Sequence, residues 1–266
     1  MPFPSIDPVF LKLGPLQFRW YGLMYVLGFV LSYFVIRSEV RRTKLELDAE
    51  GIADLIFSMA VGVVLGGRLG YVLFYDLPTY LAKPLKILSI WEGGMSFHGG
   101  MLGVAVAAVR FARSRKLPLL QLADLAALAA PLGLGLGRIG NFINGELFGR
   151  PTDLPWGIIF PEGGPLPRHP SQLYEAFLEG LVLFFVVRWF ARRIPVSGVA
   201  VAAFLAGYGL FRSFVELFRQ PDSQLGFFFN YFSMGQLLSL PLFVIGVGML
   251  LWLWRKQDAA ASLKNH

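Results

Sequence analysis

Leu120–Gly140 reads LQLADLAALAAPLGLGLGRIG, 21 residues that are almost all apolar or glycine and that close on Arg138. A membrane-spanning helix needs about 20 mostly apolar residues, so the stretch has the length of a span. It also carries a charge where charge is costly. Six more stretches share this character, at approximately 15–36, 52–74, 95–112, 171–190, 197–218 and 233–254. Over 266 residues, 55% are hydrophobic and 15% charged, whereas a soluble domain carries about a quarter charged residues. The expectation is an all-α, polytopic membrane protein of about seven transmembrane helices, forming a single domain over 1–266. The first apolar run lacks a basic leader and a small-residue cleavage site, so it is expected to stay as a span.

The basic residues are sorted along the chain. Fourteen follow the first, third, fifth and seventh stretches, for example Arg41 and Arg42, Arg113 and Arg115, Arg192 and Arg193, Arg255 and Lys256. Seven lie in the alternate segments: Lys12, Arg19, Lys83, Lys86, Arg150, Arg168 and Arg219. The positive-inside rule then places the N-terminus outside and the C-terminus in the cytoplasm. The surplus charge implies contact with anionic lipid head groups. No basic stripe is interleaved with aromatics, so nucleic acid is not an expected partner. Three arginines belong to neither set: Arg68, Arg138 and Arg212.

Residues 1–14, with Pro2, Pro4 and Pro8, are expected to form an amphipathic lead without regular helix. The long segment near 145–170 holds six prolines and is expected to be irregular. Trp20, Trp91, Trp156, Trp252 and Trp254 fall near span ends, as interfacial anchors do. Gly62, Gly66 and Gly70, then Gly99 and Gly103, and Gly133 and Gly137, repeat at helical spacing, which lets helices approach closely in a bilayer.

Polar groups concentrate in three places. The run Gly137–Arg150 sets Arg138, Asn141, Asn144, Glu146 and Arg150 among glycines. Arg138 and Asn141 share a helical face at i, i+3, and the glycines permit a turn that returns Glu146 toward them. An arginine fork beside amides suits a phosphate; the bland alternative is a helix end with snorkelling side chains. The literal G-x-G-x-x-G at 135–140 lacks the strand and βαβ unit of a dinucleotide site and is accidental. The second place is Trp91–Gly103, where His98 opens a span among glycines. It is either a structural histidine or a general base. The third, Tyr208–Asp222, holds Arg212 and Glu216 at i, i+4, positioned for a pair that is either structural or functional. Smaller candidates are Tyr21, at the start of the first span, and Ser171, read as a helix N-cap.

Absences narrow the chemistry. Without cysteine the chain has no disulfide, zinc-thiolate site or thiol nucleophile. Neither H-E-x-x-H nor G-x-S-x-G occurs, and no carboxylate cluster suggests magnesium. The enzyme expected is one acting on a lipid phosphate without metal or cofactor. The alternative is a lipid transporter or flippase using the same arginines, although related halves are not evident. A structural scaffold leaves polar groups placed at such cost unexplained.

Together these segments resemble the bacterial phosphatidylglycerol–prolipoprotein diacylglyceryl transferase family. The resemblance rests on Trp20–Tyr25, Gly66–Tyr71, Gly94–Gly100, Gly137–Gly149, Arg168–Glu175 and Phe211–Asp222; the segment near 150–168 is shorter than in many relatives. It implies seven spans in the bacterial inner membrane. It also implies transfer of the diacylglyceryl group of phosphatidylglycerol to the lipobox cysteine of a prolipoprotein signal peptide, releasing glycerol phosphate. It assigns catalytic roles to His98, Arg138 and Arg212, and substrate binding to Tyr21, Asn141, Glu146, Gly149, Tyr208 and Glu216. The nucleophile is then the substrate's own thiol, with a pKa of about 8.5 that a base or a positive field helps to ionise.

Overall fold

The computed structural model describes residues 1–14, 16–90, 93–220, 227–228 and 232–264. It is mostly helical and divides into two compact units: Met1–Val35 with Asp124–His266, and Ile36–Ala123. Among the described residues, four helices are long and apolar enough to cross a membrane: α1 (Trp20–Thr43), α2 (Ala49–Phe74), α5 (Leu119–Asn144) and, over Met234–Asp258, α9 (Met234–Lys264). The other expected stretches are also helical. They are α4 (Phe97–Arg115), a continuous run of α6 (Ser171–Glu175), a π-helical segment (Ala176–Val182) and α7 (Leu183–Arg193), and the shorter apolar α8 (Val199–Val215). A short helix α3 (Leu77–Ala82) and a 3-10 turn (Pro84–Leu88) lie between α2 and α4.

Strand was not expected, yet two small hairpins occur among the described residues. β1 (Val9–Leu13) pairs antiparallel with β2 (Leu16–Arg19), and β3 (Phe227–Phe228) with β4 (Phe232–Ser233). The prolines of the lead end at Pro8, which leaves VFLKL free to extend. Gly14, at φ 60°, makes the turn.

In the second unit the glycine repeats set the packing of α2 on α4. A Cβ on Gly62 would lie 2.6 Å from the Gly103 carbonyl oxygen, and one on Gly70 2.8 Å from Gly99 Cα. Backbone therefore meets backbone, as small residues permit. Ser96 caps α4 by accepting from Gly99 N at 3.2 Å, and its own N–H donates to Gly67 O at 2.8 Å. Arg68 is buried and directs its whole fork at carbonyls. Nε donates to Ile87 O (2.9 Å), Nη1 to Gly93 O and Gly94 O, and Nη2 to Lys86 O and Ser89 O. The guanidinium thereby ties the segment before α4 to α2.

In the first unit the core is built on α5, α7, α8 and α9 by residues such as Leu128, Leu183, Val187, Ala203 and Leu253. Helix α8 starts at Gly198 without a cap of its own. Asp124 on α5 supplies one from outside, accepting from Gly198 N at 2.6 Å and Val201 N at 3.0 Å. Such capping stabilises a helix by about 1 kcal/mol. The proline-rich segment near 145–170 is irregular as expected, held by isolated bridges such as Gly149 with Arg219 and Pro151 with Arg168. Arg168 donates to Gly163 O at 2.7 Å and stacks over Phe148.

Candidate functional site

The first unit gathers three arginines and three glutamates into one cluster. Arg138 comes from α5, Glu175 from α6, Glu179 from the π segment and Arg212 from α8. Glu216 and Arg219 come from the turn that ends α8. Glu175 Oε2 lies 2.5 Å from Arg138 Nε and 3.1 Å from Arg212 Nη1, and Oε1 lies 3.0 Å from Arg219 Nη1. Arg212 reaches Glu216 Oε1 through Nη2 at 2.5 Å and faces Glu179 Oε1 at 3.7 Å. Ser233 Oγ donates to Glu216 Oε2 at 2.6 Å, and Arg150 donates to the carbonyls of Arg219 and Glu216.

Helical geometry explains the convergence. Gln172, Glu175 and Glu179 follow at i, i+3 and i+7, one face of a helix. All three are fully buried. Gly180 lies against Gly135: a Cβ on Gly180 would be 2.7 Å from Gly135 Cα. That contact brings α5, and Arg138 with it, close to the acidic face. π-Helical segments recur at functional sites because they re-aim side chains.

The pairing is charged but poorly directed. Among the described residues, the buried side-chain polar atoms with no hydrogen-bond partner are Gln172 Oε1, Glu175 Oε2, both oxygens of Glu179 and Arg212 Nη1. All but Gln172 Oε1 belong to this cluster, and Gln172 lies one helical turn before Glu175 on the same face. Glu175 Oε2 and Arg212 Nη1 still have ionic partners at short range, so what they lack is alignment rather than charge. Native proteins leave few such atoms, and their concentration singles this cluster out as the candidate site.

Next to the cluster, Asn141 Nδ2 and Asn144 Nδ2 donate to Glu146 Oε1 at 2.8 and 3.0 Å. Arg138 Nη1 lies 3.5 Å from Asn141 Oδ1. The turn at Gly145 and Leu147, both at positive φ, returns Glu146 as expected. Gln172 Nε2 holds the Glu146 carbonyl at 2.6 Å. Gly149 is a point of close approach, where a Cβ would meet Phe218 O at 2.5 Å and His169 Cβ at 2.6 Å. Tyr21 packs on Gly140, and its hydroxyl lies 3.3 Å from that of Tyr25. Tyr208 stacks on Phe204 and stands in the field of Arg212, Glu179 and Arg138.

The structure thus brings Arg138, Asn141, Glu146, Arg212 and Glu216 into one network, with Tyr21, Gly149 and Tyr208 in the same unit. His98 belongs to the second unit, where it is exposed in the first turn of α4. Ser171 is corrected: Pro170 occupies the N-cap position, and Ser171 is a buried helical residue whose Oγ donates to Leu147 O at 3.2 Å. Trp91 and Asp222 lie outside the described residues. Sequence reasoning missed Glu175, Glu179 and Arg219 as members of the site. The cost that singled out the arginines applies equally to acids, and Glu175 with Glu179 at i, i+4 inside the 171–190 stretch was the signal.

His169, in the segment before α6, has its ring Nδ1 3.2 Å from Tyr174 Oη. Burial and the Arg150 charge hold its pKa below the ordinary histidine value.

Several helices long and apolar enough to cross a membrane, with a buried arginine–carboxylate cluster inside the first unit, are the features of a multi-pass membrane protein. The family model for prolipoprotein diacylglyceryl transferase matches residues 8–252. A protein named phosphatidylglycerol–prolipoprotein diacylglyceryl transferase from Geobacter sulfurreducens is 60% identical over 257 residues, 97% of this chain and 99% of its own. Proteins of the same name from Vibrio campbellii and Pseudoalteromonas translucida are 50% and 49% identical, over 96% and 100% of this chain and 94% and 99% of their own. The chain belongs to the prolipoprotein diacylglyceryl transferase family.

Proposed function

We propose that this chain transfers the diacylglyceryl group of phosphatidylglycerol to the lipobox cysteine thiol of a prolipoprotein, forming a thioether and releasing glycerol phosphate. In this reading it is a single transferase domain in the bacterial inner membrane, with seven spans, the N-terminus outside and the C-terminus cytoplasmic. The sorting of basic residues supports that orientation.

The observation that carries the mechanism is the meeting of Arg138 and Arg212 at one carboxylate oxygen of Glu175. Two guanidinium groups that share one anionic oxygen are spaced to share a phosphate, whose oxygens accept from arginine forks in the same way. The thiolate attacks the glyceryl carbon next to the phosphate. The C–O bond breaks, and its electron pair leaves on the phosphate oxygen, where Arg138 and Arg212 stabilise the growing charge. Glu216 and Glu175 hold the two forks in position. His98 is the proposed acceptor of the thiol proton, and Asn141, Glu146, Gly149, Tyr21 and Tyr208 are proposed to shape the head-group site.

The test is incubation of purified protein with phosphatidylglycerol and a lipobox peptide. The expected products are diacylglyceryl peptide and glycerol phosphate, with Arg138→Ala slower by on the order of 10²–10³. Absence of product, or a rate unchanged in the variant, would contradict the reading.

A further inference from the structure

Glu179 is the member of the cluster that the clamp leaves unused. Its side chain is fully buried, Oε1 lies 3.7 Å from Arg212 Nη1, and neither oxygen accepts a hydrogen bond. The neighbouring acids are better supplied. Glu175 keeps Arg219 on Oε1 at 3.0 Å, and Glu216 keeps the Ser233 hydroxyl at 2.6 Å. The charges facing Glu179 are Arg138 from α5, Arg212 from α8, Arg219 from the turn after α8 and Glu175 from its own helical run; the Tyr208 phenol of α8 completes the set.

The three arginines of the cluster balance its three carboxylates. A phosphodiester entering between Arg138 and Arg212 adds one negative charge and takes Arg212 as its partner. Glu175 and Glu216 retain other donors, but Glu179 becomes a buried carboxylate with no close partner. A buried carboxylate in that position neutralises by taking a proton.

We propose that binding of a phosphate monoanion at this site is coupled to protonation of Glu179. A proton passes from solvent to the Glu179 carboxylate as the phosphate replaces it at Arg212, and the net charge of the cluster is unchanged. The proposal rests on the reading of Arg138 and Arg212 as the phosphate clamp. Glu179 is a positioning residue here: ionised, it holds Arg212 until the phosphate arrives, and neutral, it releases the fork.

Titration calorimetry of the full chain in uncharged detergent, with dioctanoyl phosphatidylglycerol as probe, tests this in two buffers of different ionisation enthalpy. The wild type is expected to take up about one proton per lipid bound, with affinity falling by up to about tenfold per pH unit on the alkaline side. Glu179→Gln is expected to bind with no proton uptake and a flat pH profile, a change that a packing role would not produce. A wild-type heat independent of buffer, with binding intact, overturns the proposal and leaves the clamp standing. Proton uptake that persists in Glu179→Gln overturns it as well. Undiminished binding in Arg212→Ala overturns clamp and proposal together. Should Glu179→Gln fail to fold, the wild-type proton count decides alone. Binding of the deacylated diester glycerophosphoglycerol, also a monoanion, with the same proton count would place the coupling at the phosphate itself; a count seen only with the lipid would tie it to the seated head group.

Discussion

Arg138 and Arg212 lie on different helices and meet at one atom, Glu175 Oε2, at 2.5 and 3.1 Å. The carboxylate keeps two like charges together. In a low-dielectric interior, an acid bridging two guanidinium groups cannot be removed without leaving them uncompensated.

Glu175→Gln should therefore be costly to the fold. The amide keeps the shape and loses the charge that three arginines share. Breaking a buried pair costs about 3–5 kcal/mol. Thermal unfolding in detergent is expected to show a transition several degrees below wild type, with activity reduced in the protein that remains folded. An unchanged transition would show that the arginines are compensated elsewhere.

Arg212→Lys separates charge from geometry. Arg212 uses Nη1 toward Glu175 and Glu179 and Nη2 toward Glu216. A lysine keeps the charge but has no planar fork to span them. Turnover is expected to fall on the order of 10²-fold with the melting transition near wild type. A lysine variant of near wild-type rate would mean that charge alone suffices at this position.

Much of the site was legible in the sequence, for a definite reason. Arg138 with Asn141 and Arg212 with Glu216 lie within one helical turn of each other, and helical spacing alone predicts such neighbours. The return of Glu146 followed from the glycines around it. The bridge by Glu175 is a contact between helices, and spacing along the chain does not report it. Charge counting drew attention to unassigned arginines and passed over the acids that balance them. The hairpin at Val9–Arg19 was hidden by the prolines just before it. Arg68, which charge counting assigned to neither side, is a backbone clamp, and its partners are carbonyls that carry no side-chain signature.

That clamp predicts its own outcome. Arg68→Lys keeps one charge but cannot reach five carbonyls in two directions. Amide hydrogen exchange is expected to quicken over residues 84–94 and the first turn of α4, which carries His98, while α9 stays protected. Uniform exchange across the chain would indicate general unfolding instead of local release.

The pH dependence of stability follows from His169, whose folded pKa lies below its ordinary value. Below that ordinary value the unfolded chain binds a proton that the folded chain refuses, so stability falls as pH drops through this window. It levels off below the folded pKa. The midpoint of thermal unfolding is expected to decrease from neutral toward mildly acidic pH in the wild type, and to decrease less in His169→Gln. Equal pH dependence in the two proteins would assign the loss to other groups.

A structure with bound phosphatidylglycerol decides whether one phosphate is held by two arginines. Guanidinium nitrogens of both Arg138 and Arg212 are expected at about 2.7–2.9 Å from oxygens of a single phosphate, with Glu179 no longer facing Arg212. A phosphate seated on one arginine or on neither, with both forks still on Glu175, would contradict it.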